Sequence, residues 1–167
     1  MKRRLPLPIG NGAVTLDEAR RVVEAGAVDG IECPCCGRLA KVYRRKLHRE
    51  MAIFLCLLVR RAGPERAWVH VRDVLKGTRT AQKASTDGAY LVHWSLIEAK
   101  PGEHSAGMYR PTAMGASFVE GGLKVSSHVH LFNNEPVGFS ETLVSIRDAL
   151  GSKFDYDELM RGWADES

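Results

Sequence analysis

The stretch HREMAIFLCLLVRR, residues 48–61, decides how this chain folds. Its middle, Met51 to Val59, is apolar on nearly every side, which predicts a helix packed centrally rather than along one surface. Ala62-Gly63-Pro64 ends the pattern, because glycine and proline stop helices. The apolar run is too short to cross a bilayer, which takes about 20 residues. We therefore expect the central helix of a folded domain.

The segments that follow this helix come in an informative order. They are a strand at 67–71, a short helix at 73–76, a helix from Asp87 to about Ala99, a hairpin tip at 102–107 and a strand at 108–111. Helix, strand, short helix, turn, helix and hairpin is the order of a winged helix-turn-helix. In that fold the second helix of the turn faces DNA, and the hairpin forms a wing beside it.

Shorter elements are predicted on both sides of this region. Thr15 can cap a helix with Asp17 and Glu18 in its first turn, and a strand can cover 39–45. The C-terminal predictions are a helix at 113–119 capped by Thr112, a strand at 123–132, a turn at 133–136, a strand at 137–139 and short helices near 143–150 and 155–163.

The predicted fold class is therefore α+β. It consists of a winged helix-turn-helix core with a small cysteine knuckle, a C-terminal β-hairpin and short helices. We expect residues 1–47 to hold an arm, a helix and the knuckle, 48–122 to form the winged helix, and 123–167 to pack on that core.

Composition and charge are those of an ordinary folded protein. The chain has 167 residues, 44% of them hydrophobic, and a net charge of +4, so one compact domain, or one domain with a short appendage, is expected. The mild basic excess is compatible with an anionic partner such as DNA. Prolines follow the basic start at 1–4 instead of an apolar stretch, so we predict neither a targeting nor a membrane segment. Crowded cysteines argue against a disulfide framework, which favours the reducing cytoplasm.

Two stretches resemble MarR-like winged-helix proteins. Leu91-Val-His-Trp-Ser-Leu-Ile-Glu98 resembles the end of their recognition helix, and 107–118, with Tyr109 and Thr112-Ala-Met-Gly115, resembles their wing strand and next helix. This resemblance covers about 48–120 and implies a DNA-binding regulator. Such proteins dimerise through long terminal helices, so it also implies a homodimer, although the terminal helices predicted here are short. The whole chain, including the knuckle and the C-terminal Phe-Asp-Tyr-x-Glu-Leu-Met, resembles uncharacterised proteins of actinobacterial phages and mobile elements.

Three of the four cysteines crowd into the tetrapeptide Cys33-Pro-Cys-Cys36, followed by Gly37. The two-residue spacing lets both outer thiolates reach one ion, and the glycine permits the turn beneath it, as in half of a zinc-ribbon site. The predicted ligands of a structural zinc ion are Cys33, Cys36, His128 and His130. His48, Cys35 or Cys56 could supply the missing ligands instead, and a knuckle without metal would persist as a tight turn.

Basic residues suited to phosphate contact gather in two places. The densest run, at 41–49, surrounds Tyr43 and can follow a phosphate backbone. The second set borders the predicted recognition helix, and 85–99 contain no arginine or lysine, which favours phosphate contact over base reading. The predicted contacts are Arg44, Arg45, Lys46, Lys76, Arg79, Lys83, Ser85, Thr86 and Arg110. A solvated basic loop, or arginine stems covering a helix edge, would give the same pattern without binding.

Two main functions follow from these patterns, and a zinc-stabilised accessory of a larger assembly is a third alternative. The first is a DNA-binding regulator of phage or mobile-element transcription that binds mainly through phosphates. The second is a phage-encoded module that binds and inhibits a host protein and reuses the winged fold without binding DNA. We do not expect an enzyme, because the six histidines fall in no catalytic spacing and neither a phosphate-binding glycine loop nor a nucleophile elbow is present.

Overall fold

The computed structural model describes residues 14–76, 87–103, 105–152 and 156–161. These residues fall into two compact units. The smaller unit contains 14–44 and 130–137, and the larger contains the described residues of 45–129 and 138–161.

Helices and short strands alternate along the described part of the chain. The helices are α1 Leu16–Gly26, α2 Arg49–Ala62, α3 Val71–Val74, a 3₁₀ helix Ala89–Trp94, α4 Ala113–Val119, α5 Ile146–Leu150 and α6 Tyr156–Arg161. The strands are β1 Ile31–Glu32, β2 Leu39–Ala40, β3 Tyr43–Lys46, β4 Val69–His70, β5 Ile97–Ala99, β6 Met108–Pro111, β7 Val125–Ser126, β8 His128–Phe132, β9 Glu135–Phe139 and β10 Leu143–Val144. The prediction of a mixed α and β protein is thereby confirmed.

Helix α2 is the centre of the larger unit, as its sequence predicts. Every residue from Met51 to Leu58 is buried. The helix packs against β6, α4 and α5, and against α3 and the 3₁₀ helix. Gly63, with a φ of 64°, ends it. None of the helices within the described ranges combines the length and apolarity needed to cross a bilayer.

A three-stranded antiparallel sheet follows α2 in the larger unit. Its strand order is β4-β6-β5, so the strand next to α2 in sequence pairs with the last strand of the three. Strand β5 pairs with β6 through Ile97–Pro111 and Glu98–Arg110, and the loop between them is the predicted hairpin tip. The side chain of His70 accepts a hydrogen bond from the N–H of Arg72 and so caps α3.

The predicted helix from Asp87 to Ala99 is too long. Asp87 and Gly88 are helical and the 3₁₀ helix follows, but it ends at Ser95, whose φ of 57° is left-handed. Residues 97–99 are strand β5 instead of helix, because their backbone pairs with β6. The predicted strand 67–71 is likewise shorter, since Val71 begins α3.

Capping explains where the C-terminal helices begin. Thr112 Oγ1 accepts the Gly115 N–H at 2.9 Å, so α4 begins where the sequence predicts. Ser145 and Asp148 form a capping box at the start of α5. The predicted helix 143–150 is therefore wrong over its first turn, where 143–144 pair with β7 as β10.

The remaining strands form two small sheets. Strands β3, β8 and β9 make a three-stranded sheet with β8 in the middle. Asn133 and Asn134 join β8 to β9 with φ values of 50° and 64°, the pair of positive φ values that a tight two-residue hairpin requires. In the smaller unit β1 pairs with β2, and the predicted strand 39–45 is interrupted between β2 and β3. Thr15 caps α1 through a capping box with Glu18, as predicted.

Candidate nucleic-acid interface and cysteine knuckle

The basic run reaches the helical segment 87–94 through Arg45. The guanidinium carbon of Arg45 lies 3.7 Å from the centre of the Tyr90 ring, a cation–π contact. Tyr90 in turn lies 5.9 Å, centre to centre, from the His93 ring. Lys46 follows Arg45 and is exposed. The structure thus places one predicted phosphate contact against the predicted recognition helix, with a second next to it in sequence.

Segment 87–94 packs closely on α2. A Cβ at Gly88 would lie 2.6 Å from ring atoms of Phe54, so the close approach requires glycine there. The indole N–H of Trp94 donates to the carbonyl of Ser126 at 2.7 Å, which fixes the other end. Every side chain from 87 to 94 is buried or half-buried. A partner could therefore contact only the partly exposed side chains of this segment, because none of them is fully exposed.

The N-terminal end of this segment is bordered by acidic side chains. His48 Nε2 lies 3.4 Å from an Asp87 carboxylate oxygen, and His48 Nδ1 lies 2.8 Å from Glu50 Oε2. A hydrogen bond from its own backbone N–H lowers the pKa of Glu50 most, and His48 and Arg49 lower it further. Glu50 is therefore held as a carboxylate, which is unfavourable for a nearby phosphate.

The predicted wing contact, Arg110, is held by an acidic neighbour. Its Nη2 and Nε lie 2.6 Å and 2.8 Å from the same oxygen of Glu98, its register partner on β5. The guanidinium carbon also lies 4.6 Å from the centre of the Trp68 ring. Both members of the ion pair are exposed, so a phosphate could compete with Glu98 for Arg110.

The remaining predicted phosphate contacts comprise two exposed residues and four outside the described part of the chain. Lys76 is exposed, and its carbonyl accepts a hydrogen bond from Arg61 at 3.2 Å. Arg44 is an exposed residue of the smaller unit. Four predicted contacts lie outside the described residues: Arg79, Lys83, Ser85 and Thr86.

The cysteine knuckle forms the turn between β1 and β2. The Cys33 N–H donates to the Arg38 carbonyl at 2.8 Å, and the Gly37 N–H donates to the Cys33 carbonyl at 2.8 Å. Gly37 has a φ of 66°, as the predicted turn requires. Hydrogen bonds from the backbone N–H groups of Cys35 and Cys36 lower the pKa of the Cys33 thiol. A thiolate at Cys33 is therefore already stabilised by two backbone donors.

The two histidines predicted as zinc ligands lie in β8. His128 Nδ1 is 2.9 Å from Ser127 Oγ, which also lies 3.0 Å from Ser140 Oγ, so one ring nitrogen of His128 is engaged. His130 is a residue of the smaller unit, where its side chain is half-buried. Among the residues that the structure describes, no three histidine, cysteine or acidic side chains are grouped closely enough to hold a metal ion.

Sequence reasoning missed three contacts at this site. The Arg45–Tyr90 and His48–Asp87 contacts join residues about 40 positions apart, and neither leaves a local pattern. The Glu98–Arg110 pair, by contrast, could have been predicted from the sequence, through the register of the hairpin. Had 97–99 been identified as a strand, the hairpin register would have placed these two residues opposite each other.

Comparisons with known proteins add no relative. No protein-family model matches this chain, and no curated protein or solved structure gives a significant match.

Proposed function

We propose that this protein is a winged-helix protein that binds DNA mainly through phosphate contacts. The observation that carries the proposal is the connectivity of the larger unit. Helix α2, β4, α3, the helical segment 87–94 and the β5–β6 hairpin follow one another in winged-helix order. The sheet order β4-β6-β5 also supports the proposal, because the second strand of the hairpin pairs with the strand after the first helix, as in a winged helix.

The charges around segment 87–94 support phosphate contact. Arg45 stacks on Tyr90, Lys46 is exposed beside it in sequence, and Arg110 lies on the wing strand. No arginine or lysine occurs on 87–99, so bidentate reading of guanine from this segment is excluded. Affinity without strong sequence preference is the expected behaviour. A regulatory role in phage or mobile-element transcription rests on the sequence resemblance alone, and the proposed cytoplasmic location rests on the crowded cysteines.

One observation favours the second candidate, a module that binds a host protein through the same fold. Segment 87–94 is at least half-buried throughout, and Asp87 and Glu50 make its N-terminal end acidic. Both properties disfavour insertion into a DNA groove.

The test measures binding of the full chain to random-sequence duplex DNA by fluorescence anisotropy, across a salt series. We expect micromolar or tighter affinity at about 50 mM salt, falling as salt rises. Arg45→Gln with Lys46→Gln should weaken binding and reduce the slope of log K against log salt by about 0.9 for each phosphate that is no longer neutralised.

Arg147→Gln is the matched control, because Arg147 is an exposed arginine of the larger unit on α5. It should leave the affinity and the slope unchanged. Absence of binding at about 50 mM salt would exclude the DNA proposal. A stoichiometric host protein recovered from nuclease-treated lysate would then identify the second candidate.

A further inference from the structure

The cysteine knuckle presents its thiols at an open tip of the smaller unit. Cys36 is exposed, and Cys33 and Cys35 are half-exposed. A Cβ added at Gly37 would have no atom within 4 Å among the described residues. The tip is therefore accessible to another molecule.

The backbone at this tip is arranged as in a metal knuckle. The Cys33 N–H donates to the Arg38 carbonyl and the Gly37 N–H donates to the Cys33 carbonyl, each at 2.8 Å, and these bonds close the turn. The two-residue spacing of Cys33 and Cys36 on this turn lets both thiolates face one ion. The knuckle thus has the backbone turn of a zinc site but contributes two ligands of the usual four.

Among the described residues, no group of three suitable side chains could hold a metal ion, so Cys35, although it lies next to Cys36, does not complete a site with this pair. The fourth cysteine, Cys56, is fully buried in α2. Nδ1 of His48 is 2.8 Å from Glu50, and Nδ1 of His128 is 2.9 Å from Ser127. The Cys33 and Cys36 thiolates of one chain supply two ligands, so the same two thiolates of a second copy would complete a four-ligand site.

We propose that one zinc ion binds between two copies of this chain, each contributing the thiolates of Cys33 and Cys36. The ion displaces four thiol protons, which leave to solvent, and the resulting Cys₄ site is tetrahedral. A two-fold axis through the ion makes the contact isologous, so it closes as a dimer and does not propagate.

Neighbouring side chains suit a contact between copies. Leu39, which lies three residues after Cys36, is 59% exposed, and burial against a second copy would remove this apolar surface from water. Arg38 is an exposed cation next to the knuckle, and it offsets the net negative charge of a zinc ion with four thiolates.

The experiment uses the full chain with a non-thiol reductant, after removal of metal by a chelator. Zinc chloride is added stepwise while bound zinc and molar mass are measured, the mass by light scattering after gel filtration. We expect a monomer without zinc, a dimer with zinc, and about one zinc ion for two chains, as a shared four-ligand site requires. Cobalt(II) should give the absorption spectrum of tetrahedral four-thiolate coordination.

Three variants make the result specific. Cys33→Ser and Cys36→Ser should lose zinc binding and remain monomeric, and circular dichroism checks that they stay folded. Cys35→Ser is the matched control and should keep both properties, because its thiol is not a ligand in the proposed site. None of these measurements involves DNA, so their failure is independent of the function proposed above.

Two outcomes would overturn the proposal. One zinc ion per monomeric chain, lost in His128→Ala or His130→Ala, would show a site completed within the chain. Absence of zinc and cobalt binding by the folded protein would show that the knuckle is a turn without metal.

Discussion

Thr112 and Gly115 show how a short motif is dictated by packing. Thr112 Oγ1 donates to the Ser95 carbonyl at 2.7 Å and accepts the Gly115 N–H, and its own N–H donates to the Leu96 carbonyl at 3.1 Å. These bonds hold the start of α4 against the residues that lead into β5. A Cβ at Gly115 would lie 2.0 Å from that same Leu96 carbonyl oxygen. The Thr-x-x-Gly spacing is thus required because the start of α4 packs directly against the backbone of Leu96.

Gly115→Ala is expected to lower the free energy of unfolding by about 3 kcal/mol or more, because backbone, rather than a flexible side chain, must move. Gly122→Ala is the control, since its Cβ would meet the movable Ser117 Oγ at 3.1 Å. Its effect should be within about 1 kcal/mol. Urea denaturation measures both, and equal effects would contradict the steric explanation.

Glu50 makes stability depend on pH in a defined direction. Its pKa in the folded protein is lowered, first by its own backbone N–H and then by His48. The carboxylate therefore stabilises the fold above its ordinary pKa, and that contribution is lost as pH falls through the lowered folded value. Glu50→Gln should cost about 0.5–1 kcal/mol near pH 7, the usual effect of an acid at a helix N-terminus, and nothing in acid.

Chemical denaturation at several pH values tests this expectation for Glu50. Glu141→Gln removes an exposed carboxylate outside the helices and gives the control for net charge. A Glu50→Gln deficit that persists unchanged at low pH would show that size or packing, rather than ionisation, is responsible.

At the scale of elements, the β5–β6 hairpin, the proposed wing, contains an acidic residue, Glu98, that would compete with phosphate for Arg110. Glu98 and Arg110 pair across β5 and β6, and a surface ion pair of this kind is worth about 0.2–1 kcal/mol. If the wing contacts DNA, Glu98→Gln should release Arg110 and tighten binding by up to about fivefold. Arg110→Gln should weaken binding and lower the salt slope by about 0.9.

Anisotropy titrations of these two variants against the unaltered protein check this prediction. Opposite changes in affinity are expected, with similar small losses of stability in both variants. Weaker binding by Glu98→Gln would mean that Arg110 does not reach DNA.

Sequence patterns predict elements well where the cause is local. Helix α2 and the beginning of α4 follow from apolar spacing and from a cap, both of which involve neighbouring residues. The pattern at 97–99 predicts helix because it continues the apolar spacing of 87–94, although the hairpin tip predicted at 102–107 requires a strand before it, and that strand is β5. No local pattern indicates the Arg45–Tyr90 contact, which depends on how β3 is placed.

For the whole molecule, Phe54 is the most informative core residue. It is fully buried in α2, meets Tyr109 edge to face at 6.2 Å between ring centres, and lies under Gly88. Phe54→Leu should cost about 1–2 kcal/mol, because it removes ring contacts that the backbone at Gly88 cannot replace. Leu16→Ala, at a residue 79% exposed, should have almost no effect. Denaturant midpoints distinguish the two, and a neutral Phe54→Leu would contradict the central position of α2.

The two compact units show what a linear pattern cannot supply. Residues 130–137 belong with the N-terminal unit, although the rest of the C-terminal third belongs with α2. Sequence patterns can suggest boundaries between consecutive segments, but no pattern within 130–137 indicates that these residues belong to the N-terminal unit. The order of elements from α2 to β6, by contrast, is contiguous in the sequence, and it is the basis on which a winged helix is proposed.

Because Cys56 is buried in α2, the reactivity of its thiol can be used to measure how often the core of the larger unit opens. Burial raises the pKa of Cys56 to about 12, so its thiolate is scarce as well as inaccessible in the folded state. In a variant with the three knuckle cysteines changed to serine, an alkylating reagent can modify Cys56 only in molecules whose core has opened. When closing outpaces alkylation, the labelling rate divided by the rate for an unfolded thiol gives the open fraction directly, without denaturant. The extent of alkylation at Cys56 Sγ, in the middle of α2, thus reports how often the core of the protein opens.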